Sequence, residues 1–174
     1  MKSMACGVLV FCTFTANAYF ADREKQGNLM HYGNIDTEIV EEFEHPNKIV
    51  PGISFRKEVR IKNSGESDCY VRMKVLFSNS DMEEKCSIDF NTTDYEYQED
   101  DQFYYYKSVL KSGEYTKNLM EMVTIQDDVS MEELDGFSIL IYQETYQTEG
   151  KINGTWRNFK DYKEAWMEFE KNKK

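Results

Sequence analysis

Apolar and polar positions alternate along most of this chain in short runs of period two, separated by turn residues. In CYVRMKVLF, Cys69, Val71, Met73, Val75 and Phe77 share one face while Arg72 and Lys74 point away, which is the pattern of a half-buried strand. FSILIYQETYQTEG puts Phe137, Ile139 and Ile141 on one side and Leu140, Tyr142 and Tyr146 on the other. ISFRKEVRIKN sets Phe55, Val59 and Ile61 against a charged face, and GNIDTEIVEEF alternates Ile35, Thr37 and Ile39 with Asp36 and Glu38. Pro46, Pro51-Gly52, Asn63-Ser64-Gly65 and Ser112-Gly113 break the chain between runs, as turn residues do. CSIDF and FYYYKSVL read as further strands, and NLMEMVTIQ as a strand or a helical turn, with the β-branched Val123-Thr124-Ile125 favouring the strand. NTTDYEYQEDDQ reads as an acidic loop, residues 79–85 as a loop or short helix, and Ser130 to Glu133 has the spacing of a capping box. Only near the end does the period change. Phe159, Tyr162, Ala165, Trp166 and Phe169 recur at helical spacing, predicting an amphipathic helix that packs on the domain or covers a sheet edge. About six to eight short strands with little helix predict an all-β fold, an antiparallel sandwich.

The opening of the chain follows a different pattern. Lys2 precedes an apolar run from Met4 to Thr15, too short for a stable bilayer-spanning helix. Ala16-Asn17-Ala18 then places small residues at the positions a signal peptidase reads. The expectation is a signal peptide over 1–18, cut after Ala18 to free Tyr19, an N-terminal segment over 19–32, and one domain over 33–174. That makes the protein an exported one, with no stable membrane span after cleavage. Cleavage removes Cys6 and Cys12 and leaves Cys69 and Cys86. Their spacing is neither a C-x-x-C nor a zinc pattern, so in an exported protein they are either a disulfide or two small core thiols.

Composition narrows the function classes. With 174 residues the chain is long enough for one real core. Against 32 Asp and Glu there are only 21 Lys and Arg, a balance that argues against nucleic acid and anionic membrane surfaces as partners. Its two histidines, His31 and His45, stand alone, outside any H-E-x-x-H helix, and no G-x-S-x-G elbow or phosphate-binding glycine loop is present. The acidic pairs Glu83-Glu84, Asp100-Asp101 and Asp127-Asp128 read as solvated loop residues. Glu99-Asp100-Asp101 lacks the ordered alternation of a calcium loop. Asn91-Thr92-Thr93 and Asn153-Gly154-Thr155 match the glycosylation triplet, and Tyr104-Tyr105-Tyr106 reads as packing rather than a sugar platform, since alternate strand residues face opposite sides. No catalytic, cofactor-binding or metal-binding residue is assigned; the expectation is a protein that is not an enzyme and carries no cofactor.

Several of these pieces, taken in order, resemble the TasA and camelysin group of exported proteins from Gram-positive bacteria, which a SipW-type signal peptidase processes. The resemblance rests on Ala18-Tyr19-Phe20-Ala21-Asp22 at the cut, then on Gly33-Asn34-Ile35-Asp36 and on Pro51-Gly52 before a strand ending Ile61-Lys62-Asn63-Ser64-Gly65. It continues in Asp68-Cys69-Tyr70-Val71-Arg72-Met73-Lys74-Val75, in Tyr104-Tyr105-Tyr106-Lys107, and in Leu110-Lys111-Ser112-Gly113-Glu114-Tyr115-Thr116. Ile141-Tyr142-Gln143-Glu144 and Ala165-Trp166 close it. Ser112 stands where the group often has Pro, and Cys69 lies in a strand usually free of Cys. The resemblance implies a jelly-roll-like β-sandwich with short helices, secreted to the cell surface or to the extracellular matrix of a biofilm, where such proteins build fibres. It further implies that Tyr19, Phe20, Ala21 and Asp22, once freed, add as a strand to the next subunit, so the partners are copies of the chain or related matrix subunits. The alternative is a monomeric secreted binding or accessory module for a glycan, Ca²⁺ or a protein. A metalloprotease, the label some camelysin-like members carry, is disfavoured because the zinc ligands are missing.

Overall fold

The computed structural model describes residues 6–13 and 35–172 apart from positions 45, 47 and 153. In chain order the described elements are β1 Cys6–Thr13, β2 Thr37–Phe43, β3 Ser54–Asn63, β4 Cys69–Phe77, α1 Asp81–Lys85, β5 Cys86–Phe90, β6 Tyr95–Gln98 and β7 Phe103–Tyr106. They continue with β8 Met120–Ile125, α2 Met131–Leu134, β9 Ser138–Gln147, β10 Glu149–Ile152, β11 Thr155–Asn158 and α3 Tyr162–Asn172. The protein is mostly β, with antiparallel sheets and few, short helices. One sheet has the order β1-β9-β4-β7-β6, a second β2-β3-β8-β5, and β10 and β11 form a separate pair.

Two clusters hold these layers. The larger is apolar and draws on both main sheets: Phe55, Val59 and Ile61 of β3, Val71 and Met73 of β4, Met120, Val123 and Ile125 of β8, and Ile139 and Ile141 of β9. The smaller lies on the other face of the five-stranded sheet. There Tyr70, Phe103, Tyr105 and Tyr146 meet Phe159, Tyr162, Ala165, Trp166 and Phe169. The helical periodicity at the end of the chain thus buries its apolar stripe on a sheet face. Asp161 starts α3, its carboxylate accepting from Glu164 N at 3.0 Å. α2 begins with the expected capping box between Ser130 and Glu133.

Covering both faces of the five-stranded sheet changes what its strands bury. Arg72 does point away from the inter-sheet core, as alternation requires, but not into water: it is 1% exposed beneath α3. In β3 the register shifts between Arg56 and Val59, and Lys57 is fully buried, paired with Glu41 and with its Nζ 5.8 Å from the centre of the Phe43 ring. Two further departures are local. The acidic stretch contains β6, which pairs with β7 through Tyr95 opposite Tyr106 and Gln98 opposite Phe103. Gly154, matched above only as part of a glycosylation triplet, lies between β10 and β11 and takes a φ of +84°. That backbone region is open to glycine without steric cost, which suits a tight hairpin connection.

Candidate functional site

Backbone pairing singles out β9. On one side it pairs with β4 along nine positions, Cys69 opposite Gln147 through Phe77 opposite Ile139. On the other it pairs antiparallel with β1, Cys6 opposite Thr145 through Thr13 opposite Ser138. Residues 6–13 are the apolar heart of the segment read as a leader, and here they form the outermost strand of the sheet. Their sequence, CGVLVFCT, is rich in residues that suit a strand. Ala16, Ala18 and Tyr19 of the cleavage site, the assembly residues Tyr19, Phe20, Ala21 and Asp22, and both histidines lie outside the described residues. Within β9, Gln143 is fully buried; its Nε2 donates to Thr37 O of β2 at 3.1 Å, while its Oε1 accepts no hydrogen bond.

The densest polar cluster surrounds Arg72. Its Nε donates to Glu144 Oε2 at 2.7 Å, and Nη2 donates to Glu144 and, at 2.7 Å, to Glu170 Oε1. Nη1 donates to Tyr105 Oη at 2.8 Å and to Asp101 Oδ2 at 3.3 Å. The guanidinium carbon sits 4.2 Å from the ring centre of Phe103 and 4.3 Å from that of Trp166. Burial works to lower the Arg72 pKa, but the Glu144 charge and the hydrogen bonds that Arg72 donates to Glu170 and Glu144 outweigh it and leave the pKa raised. Burial, and then a hydrogen bond to Asp101, pushes the Tyr105 hydroxyl up. All five guanidinium N–H donors are used within the protein, so the cluster has none left for an anionic ligand. It ties β4, β7, β9 and α3 together, and sequence reading missed it because its members are scattered between residues 72 and 170. Asp101, read from the sequence as a solvated loop carboxylate, instead accepts from Arg72, from Tyr105 and from the backbone N–H of Phe103.

The remaining candidates are modest. Tyr104 packs toward the inter-sheet core and stacks on Phe90 at 4.5 Å, Tyr106 faces the same core, and Tyr105 faces α3. Cys69 and Cys86 are free thiols; Cys69 opens β4 in one sheet and Cys86 opens β5 in the other. Burial raises their pKa values to about 12 and about 11, so neither is a reactive thiolate near neutral pH. A shallow cleft of about 440 Å³ lies beside Tyr115, Arg60, Asp94 and Glu121. Asn91 borders it, but its side-chain amide is already engaged, donating to Asp94 of its own turn and to the more distant Asn118 O. Among the described residues no group of three His, Cys, Asp or Glu side chains could hold a metal, and no helix is long and apolar enough to cross a membrane. No family model, no curated protein and no solved structure matches the chain.

Proposed function

We propose that this chain is an exported structural subunit of the cell surface or extracellular matrix, which polymerises when its freed N-terminal segment adds as a strand to the next copy. The reading takes the two packed sheets as a jelly-roll-like sandwich of the TasA and camelysin kind, and it assigns no catalytic residue and no cofactor. One observation carries it. The outer edge of β9 is paired with residues 6–13, a segment whose composition and small-residue exit mark it for removal. Removal leaves a sheet edge spanning eight positions, along which every second residue turns its N–H and C=O outward, and that row is a template for another strand. A donor at one end of a subunit and an acceptor on its sheet form a head-to-tail contact, which extends into a filament rather than closing.

Negative-stain electron microscopy tests this on two chains, one starting at Tyr19 and one at Leu29. Fibres from the first and none from the second support the proposal. Monomers from both, across salt and pH, sink it. A monomeric glycan-binding module is the second reading, and the polar cleft beside half-exposed Tyr115 favours it. Saturable binding of a soluble oligosaccharide, lost in Tyr115→Ala, is its expected mark.

A further inference from the structure

We infer that residues 6–13 act as an intramolecular plug: in the uncut chain they occupy the β9 edge and keep any other strand out of it. The inference rests on the proposed assembly by strand addition and concerns its regulation on the acceptor side. The register carries the argument. β1 lies antiparallel to β9 over its whole length, with positions 6, 8, 10 and 12 opposite Thr145, Gln143, Ile141 and Ile139. These are the β9 residues buried most completely on the side of the inter-sheet core. An incoming strand therefore needs the same backbone groups that β1 already holds, and both cannot pair with them at once.

The plug is strong only while it is tethered. On the same chain as β9, residues 6–13 meet the edge at an effective concentration on the order of mM. Hydrolysis of the Ala18–Tyr19 bond by a signal peptidase consumes one water and leaves a carboxylate on Ala18 and an ammonium group on Tyr19. That single cut severs β1 from β9, and the plug must then compete as a free peptide. Its fit is also incomplete. Gln143 Oε1, buried on this edge strand, accepts no hydrogen bond from any of the described residues. A strand that brings a donor to this position satisfies that oxygen and displaces the leader. Cleavage thus changes both ends of the contact: it frees Tyr19 and it empties β9.

The test adds a synthetic peptide of residues 6–13, with lysines appended for solubility, to the chain starting at Tyr19. Amide exchange is followed by mass spectrometry and fibre growth by light scattering. At saturating peptide, exchange across residues 138–145 is expected to slow by about tenfold or more, with exchange in β6 unchanged, and fibre growth to fall in proportion to occupancy. The Val10→Pro peptide, which lacks one N–H and clashes in a ladder, is expected to do neither. Fibres that grow at the same rate with no protection of β9 overturn the plug and leave the fibre proposal standing. Protection of β9 in a chain that never forms fibres supports the plug and sinks the fibre proposal. Equal effects from the Val10→Pro peptide overturn the plug by showing that strand pairing is not what binds.

Discussion

The five-stranded sheet ends in β6 on one side and reaches β1 through β9 on the other, and the two ends are finished by different means. β6 has four residues, and its Glu96 carboxylate receives the Tyr162 hydroxyl and, at 2.9 Å, the Lys163 ammonium of α3. Tyr95 is buried and donates its hydroxyl to Lys117 O at 2.7 Å. A short strand with a charged residue, tied down by a helix, offers a second chain little to pair with. β9 has ten residues, carries Ile139 and Ile141 toward the core, and is capped by a strand drawn from the N-terminal apolar run. One edge is closed by a short strand tied to α3, the other by a strand from the opening of the chain. Under the proposed assembly by strand addition this asymmetry would leave a single acceptor edge, because two open edges would pair without control.

Changes on the helix side test how firmly the closed edge is closed. Replacing Arg72 by Ala has the largest expected effect. It removes the cation that balances Glu144, whose side chain is 5% exposed, and the packing between Phe103 and Trp166. Breaking a buried ion pair from one side costs about 3–5 kcal/mol, read as a drop in the denaturant midpoint. A loss under about 1 kcal/mol, the range of an exposed pair, would mean the cluster does not hold α3 to the sheet. Gly150→Ala comes next. A Cβ at this buried position of β10 runs into the Phe159 ring, 2.9 Å from Cε1. Overpacking of this kind costs about 1–3 kcal/mol, and thermal unfolding followed by tryptophan fluorescence reads it. An unchanged transition would show that β10 and Phe159 part easily, and that the pair is not a firm base for α3.

Glu96→Gln has the smallest expected effect, under about 1 kcal/mol, because the lost pair with Lys163 lies near the surface while the amide still accepts from Tyr162. Its value lies in the pH dependence. The hydrogen bond from Tyr162 and then that from Lys163 hold the Glu96 carboxylate below its ordinary value of 4.5. A lowered folded pKa contributes stability that is complete above the unfolded value and is lost as pH falls through the folded one. The stability difference between the wild type and Glu96→Gln should therefore be flat at neutral pH and fade on acidification below about 4.5. A difference that grows in acid would contradict the assignment of this edge.

Local pattern was enough for much of the fold. Alternation located β4 and β9, helical spacing located α3, and Ser130 with Glu133 located the start of α2. Each is legible because the residues that reveal it are near neighbours whose period the backbone geometry imposes. The charges of β6 outweigh the alternation of Tyr95, Glu96 and Tyr97, and Gly154 between β10 and β11 reads in the sequence only as part of a glycosylation triplet.

What the sequence determined by itself is the β-rich class and the amphipathic end of the chain, since composition and period encode these locally. Tertiary structure alone decided that Arg72 is buried among Glu144, Asp101 and Glu170, because only the docking of α3 makes the second face of the sheet an interior. It alone decided where the opening strand goes. Cys6 meets Thr145 across nearly the whole chain, through backbone N–H and C=O groups that nearly every residue carries, and a contact made of groups common to all residues leaves little trace in the order of side chains.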